Sequence, residues 1–231
     1  MAMADTASRL LPSKNRKDND PYMDTQIRLH NMVLHTKVLG PNTRAAIWLQ
    51  GCERRCEGCM SPASRPLEGG KLVPVSAIIE ELSKLNDIEG VTISGGEPFL
   101  QPVPLLLLLR RIKDELGLGV IIYTGYTLSE LQSLQNTSIN EILTGYVDIL
   151  IDGEYVDELN DGMALKGSSN QNVHFLTARY LSYAQIYKTT SRSAEVIASN
   201  QDLFFVGIPP KKTLEEWKDT VNHMKGPPAR D

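Results

Sequence analysis

The chain has 231 residues, 41% hydrophobic and 23% charged, with a net charge of -4. That length suits one globular domain with an elaborated end and enough apolar residues for a core. The acidic balance excludes a general polycation for nucleic acid, and the longest leucine run, Leu105–Leu109, is far too short to span a bilayer. Neither nucleic acid nor a membrane is expected as a partner. The N-terminus has no apolar stretch of a secretory signal. The three cysteines are crowded together, a poor disulfide framework, so a reducing, cytoplasmic compartment is expected.

Residues 1–23 are polar and aperiodic and read as a flexible N-terminal extension. From Asp24 the texture changes. "TQIRLHNMVLHTKV" reads as one strand or two, "LGPNTR" as a turn, and "AAIWLQ" as a short apolar strand. That strand delivers the chain into "LQGCERRCEGCM", which holds every cysteine. "VPVSAIIEELSKLN" places Ile78, Ile79, Leu82 and Leu85 at helical spacing. "GVTIS" then reads as a buried strand and "PLLLLLRRIKDELG" as a helix stopped at Gly117. "GVIIYT", "TLSELQSLQ", "SINEILTG" and "YVDILID" read as strand, helix, helix and strand. Such alternation predicts a parallel sheet with crossover helices. Ligands of such sheets sit at the carboxyl ends of strands, here Ser94–Pro98, Thr124–Tyr126 and Asp152–Glu154. Residues 24–175 form the expected core domain. Residues 176–231 form a C-terminal extension, with a hairpin around Asn200–Asp202 and a terminal helix. Thr213 and Glu216 make a capping-box pattern at the start of that helix.

The cysteine spacing is C-x3-C-x2-C, at Cys52, Cys56 and Cys59. Thiolates are soft ligands that suit zinc or iron–sulfur clusters. A structural zinc site needs a fourth ligand. Only His30, His35, His174 and His223 are available, none at finger-like spacing. A cubane cluster usually takes four cysteines, so three would leave one iron open to a substrate. On spacing alone, an open iron–sulfur site, a zinc site and unrelated thiols all remain readings.

"CERRCEGC" and "VTISGGEPFLQ" resemble the cluster motif and the Gly-Gly-Glu-Pro segment of the radical S-adenosylmethionine superfamily. In order along the chain, "RLHNMVLHTKVLGPNTRAAIWLQGC", "CEGC", "TISGGEPFLQ", "IIYTGYTLSEL", "DILIDGEYVDELND" and "LKGSSNQ" resemble the activating component of anaerobic (class III) ribonucleotide reductase. The resemblance covers about Ile27 to Gln171, with weaker similarity through "VGIPP". It implies an α/β fold, an incomplete TIM-like parallel β/α barrel of the radical SAM type. It implies a [4Fe-4S] cluster with one open iron, and S-adenosylmethionine chelated there. One-electron reduction would cleave the sulfonium to give a 5′-deoxyadenosyl radical. The implied partner is a glycyl radical enzyme, the anaerobic ribonucleotide reductase. A flavodoxin, ferredoxin or similar donor would supply the electron.

The resemblance also implies residue roles. Cys52, Cys56 and Cys59 would each ligate one iron. Gly58 would leave room near the cluster, and Met60 would present its backbone to the adenine. Gly95, Gly96 and Glu97 would hold the methionine end: glycines let backbone approach a ligand, and Glu97 can accept hydrogen bonds from its ammonium. Thr124 and Gly125 would touch ribose or the methionine carboxylate. Asp152, Ser168, Ser169, Asn170 and Gln171 would face the substrate. Arg54 and Arg55 would add positive charge beside the cluster, tuning its potential or meeting an electron donor. The plainer readings are turns and solvated loops. Two other functions stay open: a radical enzyme that modifies a peptide or small molecule, and a zinc-stabilised binding module.

Overall fold

A computed structural model describes residues 25–198 and 203–224. The expected N-terminal extension, residues 1–23, and the hairpin turn expected around Asn200–Asp202 lie outside the described residues. In chain order the elements are β1 (Gln26–Thr36), β2 (Arg44–Leu49), β3 (Lys71–Pro74), α1 (Val75–Ser83), β4 (Gly90–Gly95), α2 (Pro102–Asp114) and β5 (Gly119–Tyr123). Then follow α3 (Leu128–Ser133), α4 (Thr137–Glu141), β6 (Ile149–Asp152), β7 (Asn172–Phe175), β8 (Ala194–Ala198), β9 (Leu203–Gly207) and α5 (Lys211–Met224).

Seven strands form one sheet in the order β3-β1-β2-β4-β5-β6-β7. β2, β4, β5 and β6 run parallel. β1 pairs antiparallel with both β2 and β3, and β7 pairs antiparallel with β6. The all-parallel expectation is thereby corrected to a mixed α/β sheet with a parallel centre. The antiparallel flanks escaped the pattern for a physical reason. β3 and β7 are four residues each, too short and too polar to show a period. The order runs from edge to edge, and no β3–β7 pairing closes it among the described residues.

Alternate residues of the central strands serve two cores. Ala45, Ile47 and Leu49 of β2, Val91 and Ile93 of β4, and Val120 and Ile122 of β5 face α1, α2 and α4. The whole run Leu105–Leu109 of α2 is buried, because α2 lies on the sheet and is flanked by α1 and α4. A helix buried that way reads as apolar all round. α3 starts on the predicted kind of signal: Thr127 Oγ1 accepts from Glu130 N at 3.1 Å, and Thr127 N donates back to Glu130 Oε2 at 2.6 Å.

The opposite face is also covered. Ile121, Ile149 and Ile151 pack with Leu165, Tyr180 and Tyr187, the last two from a long 3-10 stretch, Ala178–Tyr187. Val33, Ala46, Val206 and Ile208 form a third cluster with Trp48, Met60, Tyr123 and Phe204 against it. Burial on both faces explains strands that read as continuous apolar runs. β8 and β9 pair antiparallel. α5 begins at Lys211, so Thr213 lies inside its first turn and is not its cap. Leu214 N donates to Pro210 O at 3.1 Å, which moves the cap from Thr213 three residues upstream to Pro210. No described helix is long and apolar enough to cross a membrane.

Candidate functional site

The cysteine loop leaves β2 at its carboxyl end and is pinned at both ends by backbone. Gly51 N donates to Ser64 O at 2.8 Å and Cys52 N to Arg65 O at 2.9 Å. Gln50 fastens the loop further. Its Nε2 donates to Pro66 O at 2.7 Å and Ala63 O at 3.3 Å. Its Oε1 is left to accept from His30 Nδ1 at 2.7 Å, and burial lowers the pKa of His30. Gln101 completes the clamp, donating from Nε2 to the carbonyls of Arg28 and Gln50. Sequence reasoning missed Gln50 and Gln101: a glutamine adjoining a motif carries no periodic signal.

Cys52, Cys56 and Cys59 are half-buried free thiols. All three open on one cavity of about 430 Å³. Burial raises the pKa of Cys52. Burial and the adjacent Glu154 carboxylate, which accepts from Cys56 Sγ at 3.4 Å, push Cys56 up to about 11. Among the described residues, no three His, Cys, Asp or Glu side chains converge on a single ion. His30 lines the cavity, with its Nδ1 given to Gln50. Three thiols spread around a chamber suit a cluster of several metals better than one tetrahedral zinc.

Gly95, Gly96 and Glu97 line the same cavity, at the carboxyl end of β4. Gly96 N donates to Leu49 O and Glu97 N to Gly51 O, both at 2.7 Å. A Cβ on Gly96 would overlap the Gly51 carbonyl. The glycine therefore permits close approach of one backbone to another, where the sequence suggested approach to a ligand. Glu97 is buried, and burial raises its pKa. Its carboxylate accepts from Phe99 N at 3.0 Å, Thr124 Oγ1 at 2.8 Å and Gly125 N at 2.8 Å. It thus ties the ends of β4 and β5 together. Thr124 and Gly125 line the cavity, held by that carboxylate.

Arg54 lies beside this group. Its guanidinium sits 4.6 Å from the Tyr126 ring centroid, with Glu130 at 3.4 Å and Glu154 at 3.5 Å. Its Nε is buried without a hydrogen-bond partner. Arg55 is exposed.

The remaining predicted residues divide. Met60 and Gln171 line the cavity, and Met60 packs on the cluster that contains Val206 and Ile208. Gly58 has φ +66° and sits against Asp157, whose carboxylate a Cβ would strike. Asp152 is buried and structurally engaged, away from the cavity wall. It accepts from Leu128 N at 2.6 Å and Asn172 Nδ2 at 3.1 Å. His174 Nε2 lies 2.9 Å from it, without hydrogen-bond alignment. Ser168 is buried and accepts from Val156 N at 3.1 Å. Ser169 and Asn170 are exposed, and Asn170 donates to Glu154 O at 2.8 Å. Gln171 organises this turn, accepting from Gly167 N at 2.7 Å and donating to Gly153 O at 2.6 Å. Of these five only Gln171 lines the cavity, and Ser168 N donates to its Oε1 at 3.2 Å.

One wall was invisible to the sequence. Phe204, Val206, Ile208 and Leu214, from β9 to the start of α5, line the cavity from the side of the hairpin. The hairpin pattern was readable, but nothing in it named the surface it would cover.

A family model described as "4Fe-4S single cluster domain" matches residues 38–174. The anaerobic ribonucleoside-triphosphate reductase-activating protein of Salmonella typhi is 34% identical over 160 residues, covering 65% of this chain and 99% of its own. The protein of that name in Escherichia coli (strain K12) is 34% identical over 149 residues, covering 60% and 92%. The one in Enterobacteria phage T4 is 29% identical over 142 residues, covering 59% and 86%. A solved structure, QueE from Escherichia coli, superposes at TM-score 0.37 and 20% identity over 46% of this chain and 56% of that one, too loosely to bear on the fold. The three-cysteine loop lies within the matched span, and this chain belongs to the family of the 4Fe-4S single cluster domain.

Proposed function

We propose that this protein is a radical S-adenosylmethionine enzyme that activates a glycyl radical partner, the anaerobic ribonucleotide reductase. One observation carries the reading: three cysteines and the Gly95–Gly96–Glu97 turn open on one cavity. The names of relatives spanned almost end to end support it. The four parallel strands, with helices on one face, are read as part of an incomplete barrel. The core is read as residues 24–175, the compartment as the cytoplasm, and the electron donor as a flavodoxin or ferredoxin.

When bound, the cluster and S-adenosylmethionine supply one-electron cleavage of a sulfonium and a 5′-deoxyadenosyl radical that takes hydrogen from the substrate. The chain's own residues prepare that event. Cys52, Cys56 and Cys59 would hold the cluster as thiolates, so loading would release their protons. Cys56 gives its proton up reluctantly, because burial and Glu154 hold its pKa up. Glu97 has three of roughly four acceptor positions filled by the protein. The remaining position suits the ammonium of the methionine moiety. The unpartnered Arg54 Nε suits its carboxylate. Gly58 leaves room beside the loop, and Met60 offers backbone to the adenine.

The test is anaerobic. The reconstituted protein is expected to hold about four irons per chain, to form 5′-deoxyadenosine when reduced, and to give the reductase a glycyl radical by electron spin resonance. Cys56→Ala is expected to lose both cluster and cleavage. Glu97→Ala is expected to keep its iron and to bind the cofactor about tenfold or more weaker, the loss of a charge-assisted contact. Full cleavage by Cys56→Ala would overturn the ligand assignment.

A further inference from the structure

Arg54 and Arg55 were the expected positive charges beside the thiols, and the fold suits neither to that duty. Arg54 is neutralised where it lies, with Glu130 at 3.4 Å and Glu154 at 3.5 Å. Arg55 is exposed, and salt screens a charge held in water.

A third arginine stands in their place. Arg65 lines the cavity together with the three cysteines. Its backbone is fixed against the first of them: Arg65 O accepts from Cys52 N at 2.9 Å, and Arg65 N donates to Pro62 O at 3.3 Å. Ser64, just before it, is fully buried, and its Oγ donates to Ser61 O at 2.7 Å. The position of Arg65 beside Cys52 is thus set by the fold. Arg65 is half-buried, and among the described residues no hydrogen bond or ion pair engages its guanidinium. Its charge is felt at the thiol. Burial raises the pKa of Cys52, and Arg65 is the cationic side chain that pulls against the rise.

A cubane carried by three thiolates is anionic, and one further electron adds to that charge. In a half-buried chamber such a gain is costly unless a cation lies near. Arg54 returns little, because two carboxylates cancel its field. An uncompensated guanidinium favours the reduced form and so raises the reduction potential. Arginine stays protonated throughout. The step is therefore one electron from the external donor to the cluster, with no proton moved.

We infer that Arg65 is the residue that eases electron entry into the cluster, by holding an uncompensated positive charge beside Cys52. The inference rests on the proposed reading of the three thiols as a cluster site and is independent of which partner the enzyme activates.

The anaerobically reconstituted protein, without S-adenosylmethionine, is titrated with titanium(III) citrate, and the reduced cluster is counted by electron spin resonance at each potential. Arg65→Gln is expected to disfavour reduction about tenfold, a midpoint about 59 mV lower for one electron, with its iron content unchanged. Arg65→Lys keeps the charge and is expected to restore most of the loss. Arg55→Gln is expected to leave the midpoint in place. Should Arg65→Gln not load its iron, Arg65→Met carries the same expectation. Loss of the cluster from both neutral variants would overturn the inference, since the residue would then serve assembly. So would an unmoved midpoint, an equal shift in Arg55→Gln, or a shift that Arg65→Lys fails to restore. Weaker binding of S-adenosylmethionine by Arg65→Gln at an unmoved midpoint would make the residue a cofactor ligand and overturn it too. The activase reading is judged separately by the spin signal on the reductase. A protein whose midpoint follows Arg65 but which leaves the reductase without a radical loses that reading and keeps the tuning role. A protein that activates the reductase at a midpoint indifferent to Arg65 loses only the tuning role.

Discussion

Gly96 has less room than its neighbours suggest. Its amide reaches Leu49 O while its α-carbon is pressed against the Gly51 carbonyl. Backbone on both sides means that neither partner can step aside as a flexible side chain would. Gly96→Ala is expected to destabilise the fold by about 2–4 kcal/mol, measured by urea unfolding of the metal-free protein. The residue itself was legible in the motif; its duty was not. The same holds for Glu97, whose partners Thr124 and Gly125 lie 27 and 28 residues away. A glutamate in a Gly-Gly-Glu-Pro string announces a site. Only tertiary structure reveals that most of its carboxylate is spent on joining two strand ends.

Among elements, β6 is tied to three others by the side chain just before it. Asp148, just before it, is buried and accepts from Lys113 Nζ of α2 at 2.8 Å, Val120 N of β5 at 2.8 Å and Thr177 Oγ1 beyond β7 at 2.6 Å. Burial pushes its pKa up, but these three donors together hold it below the usual aspartate range. A carboxyl depressed on folding stabilises above its unfolded pKa, and that contribution fades as pH falls through the folded value. Asp148→Asn is expected to cost about 2–4 kcal/mol at pH 7. The gap to the parent is expected to narrow below about pH 4. Urea unfolding at neutral and acid pH reads both. The apolar runs "GVTIS", "GVIIYT" and "YVDILID" disclosed the parallel strands, and "TLSELQSLQ" disclosed α3, whose Thr127–Glu130 capping box only the structure brought out. β3 and β7 stayed hidden because short edge strands owe their state to a neighbour's unpaired backbone, not to their own pattern. The start of α5 was misplaced because Thr213 and Glu216 have capping-box spacing, whereas Pro210 supplies the acceptor carbonyl at the head of the helix.

Across the whole molecule, Arg44 joins the sheet to the C-terminal part. It is fully buried. It donates to Thr92 Oγ1 at 2.8 Å, Val91 O at 2.9 Å, Tyr180 Oη at 2.8 Å and Glu89 Oε2 at 3.0 Å. Arg179 reaches the same Glu89 from the 3-10 stretch. Arg44→Ala is expected to cost about 3–5 kcal/mol, since it strands the remaining members of a buried network. Thermal unfolding followed by tyrosine absorbance, with Tyr180 inside that network, checks it. The sequence placed this arginine in a turn before a strand and gave no hint of its burial. Residues 44, 89 and 180 meet only when the second face of the sheet is closed.

One hydrogen, on Glu97 N, is lent to the carbonyl of the residue before Cys52. Water can claim it only when the loop lifts off the glycine turn. Deuterium uptake at that single amide is thus a gauge of whether the loop is seated, readable before any iron is added. If metal loading locks the loop down, the gauge slows.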